Sequence, residues 1–170
     1  MRGIKLNATP KNNERKFNEN ELLVTKTDIK GVITYANQAF INIVGLTEEE
    51  LVGKPHNIIR HPDMPKIIFK LLWDSLKSND EIHAYVKNLC IDGSYYWVMA
   101  NVTPSFLDGK IVGYHSARRV PTQNSIAIIE PLYKKLLSAE RSGGINASQK
   151  ILDDLLKEKG MQYDEFILSI

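Results

Sequence analysis

Residues 82–119 read IHAYVKNLCIDGSYYWVMANVTPSFLDGKIVGYHSARR, and no other part of the chain constrains the architecture as strongly. Three runs rich in β-branched and aromatic residues follow one another, Ile82 to Ile91, Tyr95 to Ser105 and Ile111 to Arg119. Asp92-Gly93 and Asp108-Gly109 separate these runs. Asp-Gly between runs with a period of two is typical of a tight hairpin turn. The stretch therefore predicts three consecutive antiparallel strands.

A second hairpin is predicted upstream. The runs Leu22 to Thr27 and Val32 to Ala36 flank Asp28-Ile29-Lys30-Gly31, a sequence typical of a turn. Helical signals fill the space between the two hairpins, and the order of elements predicts an α+β fold. In this fold, an antiparallel sheet of about five strands carries helices on one face, and C-terminal helices follow it.

Three side chains are placed to cap these intervening helices. Asn37 can cap a short helix that ends at Gly45, and Thr47 with Glu50 forms a capping-box sequence. Asp63 can cap a longer amphipathic helix from Met64 to about Lys77. We therefore expect three helices between the upstream hairpin, which ends at Ala36, and the strand that begins at Ile82.

The chain divides into three predicted segments. Residues 1–20 are polar and form a flexible or interface arm, residues 21–121 form the globular domain, and residues 122–170 form a helical segment for signalling or docking. Within the last segment, Pro131 should bend the first helix or mark its first turn, and Ser142-Gly143-Gly144 should end it.

Composition excludes several classes of function. With 22 basic and 20 acidic residues, the net charge of +2 is too weak to predict nucleic-acid binding. No apolar run approaches the roughly 18 residues of a membrane span, so we expect a cytoplasmic protein without direct membrane insertion. The single cysteine excludes an internal disulfide. No phosphate loop, carboxylate pair or metal-ligand cluster is recognisable, so we expect no enzyme and no metal site.

The stretch Pro55-His56-Asn57-Ile58-Ile59-Arg60-His61-Pro62-Asp63-Met64-Pro65, called the elbow below, is the main indication of ligand binding. Pro62 lacks an amide hydrogen and forces His61 away from helical angles, so the backbone should be stiff and extended. Arg60, His61 and Asp63 would then point in fixed directions. A planar cation beside a helix N-terminus is suited to holding a phosphate group.

Several short motifs resemble those of PAS sensor domains: Tyr35 to Phe40, Asp92 to Trp97 and Asp108 to Tyr114. Others resemble the PAS domain of bacterial aerotaxis receptors: Gly53 to Asn57, Arg60 to Pro65, Val86 to Asn88 and Glu130 to Lys134. The likeness spans about residues 22–141 and identifies residues 21–121 as a PAS domain. One departure is Ile82, where the family has a tryptophan near the flavin, and this change should weaken or retune flavin binding.

The resemblance implies non-covalent FAD and a role as a flavin-based redox or energy sensor in chemotaxis. It implies a membrane-anchored chemoreceptor-like partner, which would hold the protein at the inner face of the membrane, and a homodimeric state. Within this family, the resemblance further suggests the stand-alone PAS partner of a split energy-taxis receptor, which docks on a separate membrane protein. Two alternatives stay open: a cofactor-free PAS interaction or dimerisation module, and a haem PAS with His61 or His83 as axial ligand.

In the elbow, the resemblance assigns three candidate cofactor ligands. Arg60 would pair with the FAD pyrophosphate, or else cap the preceding turn. His61 would hydrogen-bond the cofactor, or else pack on Pro62. Asp63 would accept from the ribose, cap the following helix, or do both.

Outside the elbow, four further residues are candidates. Asn37 would join the pocket or serve only as a helix cap. Asn88 occupies an inward position of an apolar strand, where its amide matches the pyrimidine edge of a flavin. Arg118 would stabilise negative charge on a reduced flavin, or form a salt bridge at the end of the sheet. Trp73 would line the pocket or be ordinary core.

Overall fold

The computed structural model describes residue 6 and residues 8–170. One antiparallel sheet has the strand order β2-β1-β5-β4-β3. Its strands are β1 Leu23–Thr27, β2 Ile33–Ala36, β3 Ile82–Leu89, β4 Tyr95–Leu107 and β5 Lys110–Arg119. The helices are α1 Gln38–Val44, α2 Glu48–Leu51, α3 Lys66–Lys77, α4 Gln123–Lys159 and α5 Tyr163–Leu168, with a 3₁₀ turn at His56–Ile59. The predicted α+β fold is confirmed.

Helices cover the sheet on both faces. The first three helices pack on the inner face, where Leu23, Phe40 and Tyr96 are fully buried. On the outer face, the Tyr133 hydroxyl of α4 donates to the Tyr85 carbonyl at 2.7 Å. The Tyr85 hydroxyl in turn donates to the carbonyl of Ile170 after α5 at 3.0 Å. Helices α1 to α3 therefore form the expected layer on the inner face, and the expected C-terminal helices α4 and α5 lie on the outer face.

The polar segment before β1 lies along the start of β4. The Lys11 amide donates to the Gly93 carbonyl at 2.8 Å and the Arg15 amide to the Tyr95 carbonyl at 2.7 Å. Gly93 has φ 87°, and a Cβ at this position would collide with the Thr9 carbonyl, so the turn requires glycine. Residues 1–5 and 7 of the predicted arm lie outside the described residues, and the division at residues 20 and 121 stays a prediction.

The predicted cap of α3 by Asp63 is wrong. Helix α3 begins at Lys66 rather than Met64, and Pro65 precedes it without a side-chain cap. The Asp63 carboxylate instead accepts from Lys87 Nζ at 2.8 Å, because the elbow crosses the end of β3. By contrast, the predicted caps of α1 by Asn37 and of α2 by Thr47 are confirmed.

Helix α4 follows β5 almost directly and is capped by Thr122, whose Oγ1 accepts from the Ser125 amide at 3.0 Å. It runs through Pro131, so this proline does not mark the first turn. The helix is interrupted at Gly144, with φ 70° and ψ −169°, where the sequence predicted its end. Within the part of the chain that the structure describes, none of the helices combines the length and hydrophobicity that a membrane span requires.

We expect Gly144→Ala to destabilise the fold by about 1–3 kcal/mol, since only glycine adopts these backbone angles without strain. A Cβ added at this position would meet no atom within 4 Å, so backbone strain alone would cause the loss. Urea denaturation measures this effect. Ser142→Ala, in the same exposed stretch, should stay within about 0.5 kcal/mol of the parent protein. Equal stability of the two variants would contradict the conclusion that the backbone angles at residue 144 require glycine.

Candidate functional site

A cavity of about 180 Å³ lies between the inner face of the sheet and helix α3. Phe69, Leu72, Trp73 and Leu76 form its helical wall because they recur at helical spacing along one side of α3. The apolar part of the sheet wall comes from β3 and β4. The polar wall residues are Thr25, Thr27, Lys30, His56, Asn57, Arg60, Asn88, Ser116 and Arg118. The predicted hollow between sheet and helices is therefore present.

Arg118 is the most unusual residue of this cavity. It is 5% exposed, and its Nη2 donates to Thr25 Oγ1 and to His56 Nε2, both at 2.8 Å. Its Nη1 is buried without a hydrogen-bond partner among the described residues. Burial lowers the pKa of Arg118 to about 10, so the group stays cationic at neutral pH. Its two hydrogen-bond partners are neutral, and the expected alternative of a salt bridge is not formed within the described residues.

His56 shares the polar end of the cavity with Arg118. Burial, and then the Arg118 charge, lowers the pKa of His56 from 6.5 to about 3, so the ring is neutral. Because a guanidinium only donates, Nε2 must accept and the ring proton must lie on Nδ1. His56 is not among the site residues that the sequence predicts. Its position directly after Pro55, inside the elbow, is the one sequence signal that points to it.

Four of the site residues that the sequence predicts line this cavity: Arg60, Trp73, Asn88 and Arg118. The Asn88 side chain is 4% exposed and faces inward, and the Asn88 backbone forms an isolated antiparallel β-bridge with Arg60. The Arg60 guanidinium lies over the Phe69 ring at 4.1 Å and donates to the Met64 carbonyl at 2.8 Å. Burial lowers the pKa of Arg60, and the Glu140 carboxylate opposes this shift. A partly exposed cation therefore lies at the wall of the cavity.

The Trp73 indole contributes an aromatic surface to the same wall. Its ring meets the Tyr114 ring edge-on, with centroids 5.5 Å apart. Ile82, the departure from the family pattern, is buried on the inner face and pairs with Val102 of the cavity wall. The aromatic wall thus comes from α3 rather than from the start of β3.

Asn37 does not reach the cavity. Its Oδ1 accepts from the Phe40 amide at 3.1 Å and from the Val24 amide at 3.0 Å. Its Nδ2 donates to the Leu22 carbonyl at 2.8 Å. These three bonds use the carboxamide to join the start of α1 to β1, which is a structural role.

His61 and Asp63 also lie away from the cavity wall. His61 Nδ1 accepts from the Asp63 amide at 3.1 Å, and its ring packs edge-on against Tyr95. Burial, and then the Lys87 charge, lowers the pKa of His61 to about 4. Since extended backbone alternates its side chains, Arg60 turns to the cavity and His61 turns away.

The remaining candidate for metal ligation also lies elsewhere. His83 Nδ1 is 2.9 Å from an Asp164 oxygen on the outer face of the sheet. Across residue 6 and residues 8–170, no three His, Cys, Asp or Glu side chains converge as a metal-binding group would require. Neither His61 nor His83 is placed to ligate a haem inside the cavity.

Comparisons with known proteins place these features in context. A family model described as the PAS fold matches residues 33–118. The aerotaxis receptor of Escherichia coli (strain K12) is 44% identical over 124 residues, which cover 73% of this chain and 24% of the receptor. The chain therefore spans only about a quarter of that relative's length.

Solved structures show the same fold at low sequence identity. A light-oxygen-voltage domain studied with a flavin analogue superposes with a TM-score of 0.59 at 17% identity, covering 64% of this chain and 84% of that one. The light state of the blue-light photoreceptor Aureochrome1 LOV domain gives 0.55 at 20% identity, with coverage of 71% and 91%. Both likenesses concern the fold alone.

The pH dependence of stability should reveal the neutral histidines. Since the folded-state pKa values of His56 and His61 are depressed to about 3 and about 4, the unfolded chain binds more protons below pH 6.5. Stability should therefore fall as the pH falls from about 6.5, by up to about 1.4 kcal/mol per pH unit for each ring. Stability stops falling only when the pH reaches the folded-state pKa values of the two rings.

His56→Gln isolates one of the two contributions, because Gln Oε1 can accept the bond from Arg118 without titrating. Urea denaturation between about pH 6 and pH 5 should show roughly half the slope of the parent protein. Identical slopes would mean that the His56 ring is protonated in the folded protein.

Proposed function

Because the chain belongs to the PAS family, with a PAS domain of the aerotaxis-receptor type as the sequence predicted, we propose that it is a flavin-based redox or energy sensor. The flavin would bind in the cavity, and its oxidation state would be relayed to a taxis signalling partner. The observation that carries the proposal is Arg118, a cation enclosed by the cavity with one guanidinium nitrogen unpaired in the described chain.

Burial of an unpaired charge is costly, and leaving one donor unsatisfied adds to the cost. Ser116 Oγ, on the same strand and also at the cavity wall, is likewise buried without a partner among the described residues. A ligand with electronegative atoms along one edge would satisfy both groups. The aromatic and aliphatic side chains of α3 offer the apolar surface that a flat ring requires. These residues fit a flavin.

When bound, a flavin would supply reversible uptake of electrons and protons. Arg118 would hold a fixed positive charge near the ring and favour a negative charge there. Asn88 would offer one donor and one acceptor from a single carboxamide. Arg60, at the elbow, would neutralise a phosphate tail such as the pyrophosphate of FAD, the flavin that the resemblance to aerotaxis receptors implies. Asn37, His61 and Asp63 would support the fold around the site.

The relay would start at the end of β5. Arg118 is the last inward residue of this strand, and α4 begins shortly afterwards at Gln123. A change of oxidation state can shift the position of α4 only through its differential free energy for two arrangements, typically about 1–3 kcal/mol. Loss or gain of one charge-assisted hydrogen bond at Arg118 is of this size. We propose that a membrane-anchored chemoreceptor-like protein receives this change, and that the chain acts as a homodimer at the inner face of the membrane.

One observation favours a second candidate, a cofactor-free PAS interaction module. The cavity of about 180 Å³ is smaller than the roughly 300–1,000 Å³ of common ligand pockets. Phe106, Leu107 and Val112 are exposed near the β4–β5 turn and could contact a partner. A colourless purified protein that takes up no added flavin would establish this candidate and overturn the sensor.

Arg118→Gln and Arg119→Gln form a matched pair for the sensor hypothesis. Arg118 faces the cavity, whereas Arg119 is the exposed residue that follows it. We expect Arg118→Gln to lower the reduction potential of the bound flavin, because the buried cation no longer favours negative charge on the ring. Spectroelectrochemistry on the purified proteins measures the potential, and Arg119→Gln should match the parent. If both variants keep the parent potential, Arg118 does not face the flavin.

Arg60→Ala tests the phosphate site at the elbow. Removing a charge-assisted contact of about 1.5–3 kcal/mol should weaken FAD binding by about tenfold to a hundredfold, as measured by fluorescence titration. Arg60→Lys keeps the charge and should lose less. Riboflavin, which has no phosphate, should bind the parent and Arg60→Ala equally well. A similar loss for riboflavin would instead indicate general damage to the elbow.

A further inference from the structure

Helix α3 receives its N-terminal cap from a different helix. The Glu140 carboxylate of α4 accepts from the Lys66 amide through Oε2 and from the Ile67 amide through Oε1, both at 2.9 Å. The residue before α3 is Pro65, which provides no side-chain cap, and Asp63 is bound to Lys87. The first amides of a helix need acceptors, and a carboxylate there also complements the helix dipole.

The same carboxylate also binds the part of α4 that follows the interruption. Ser148 is fully buried, and its hydroxyl proton is shared between two acceptors, Glu140 Oε1 at 3.1 Å and the Ile145 carbonyl at 2.9 Å. Gly144, the interruption itself, lies between these two residues. One carboxylate thus connects three pieces of backbone: the start of α3, the first part of α4, and the part of α4 beyond Gly144.

Helix α3 is also the wall of the cavity. Phe69, Trp73 and Leu76 line it, and the Arg60 guanidinium lies on Phe69 within the electrostatic influence of Glu140. Any ligand state that shifts α3 along its axis must therefore lengthen or shorten the two bonds to Glu140. Because these bonds join charged and neutral groups, they are stronger than ordinary hydrogen bonds and resist such a change.

We infer that Glu140 is a positioning residue that couples the cavity wall to the C-terminal helical segment. It holds α4 at the bend next to Gly144 only while the N-terminus of α3 is in place. The relay of the ligand state through this link rests on the proposed flavin function, whereas the link itself does not. This provides a second route from the cavity to α4, separate from the covalent connection through β5.

Amide hydrogen exchange on the full chain tests the link without any flavin. In Glu140→Ala we expect exchange at the Lys66 and Ile67 amides to be about tenfold faster than in the parent, because both acceptors are lost. Exchange in residues 145–152 should also rise severalfold, since Ser148 loses the charged one of its two acceptors and the tie to the first part of α4, and keeps only the Ile145 carbonyl of its own turn. Glu158→Ala, an exposed site on the same helix, should leave both regions unchanged. Faster exchange at Lys66 and Ile67 alone would show a local cap and overturn the coupling.

The second measurement compares the oxidised and chemically reduced flavoprotein. In the parent, reduction should change exchange in residues 145–152, and in Glu140→Ala this response should be lost while flavin content is kept. A response equal to that of the parent would overturn the role of Glu140 in the relay. Glu140→Gln retains one acceptor oxygen and should give intermediate values, which keeps the test decisive if the alanine variant unfolds. A parent protein that binds no flavin removes the proposed function, and the first measurement still decides the link.

Discussion

The positive charge of Arg118 inside the domain is the constraint on which the site depends. Within the described chain, the guanidinium is held by the Thr25 hydroxyl and by the neutral His56 ring, and neither supplies a negative charge. Holding it there requires strand β1 and the elbow to be in place at once, because each provides one acceptor. Fold and site are therefore not separable: the contacts that fix the sheet against the elbow are also those that orient the cation toward the cavity.

Local signals account for the parts of the structure that the sequence predicted well. The Asp-Gly turns, the cap Asn37 and the capping box at Thr47 each depend on a few neighbouring residues, and each lies where expected. The inward position of Asn88 follows from strand alternation and is also observed. Trp73 and Arg118 reach the cavity for related reasons, because helical and strand periodicities determine the direction of a side chain.

The features that escaped prediction depend on residues distant in sequence. Aspartate commonly caps helices, but Lys87 lies beside Asp63 in the folded chain and binds its carboxylate. Glu140, 74 residues away from Lys66, takes over the capping role. The direction of His61 is set by whichever face the extended elbow turns to the sheet, and no pattern in the elbow itself determines that choice. Such assignments require the packing of α4 and β3 to be known first.

The order of the strands limits how this domain can be excised for study. The family match covers residues 33–118, yet β1, at Leu23–Thr27, lies between β2 and β5. A fragment cut to the matched boundaries would separate β2 from the rest of the sheet and leave an unpaired edge along β5, which invites aggregation. It would also remove Thr25 and with it one acceptor of the buried guanidinium. Expression trials therefore need to start upstream of Leu23, and those that also include Lys11 to Arg15 preserve the strip of backbone that lies along β4.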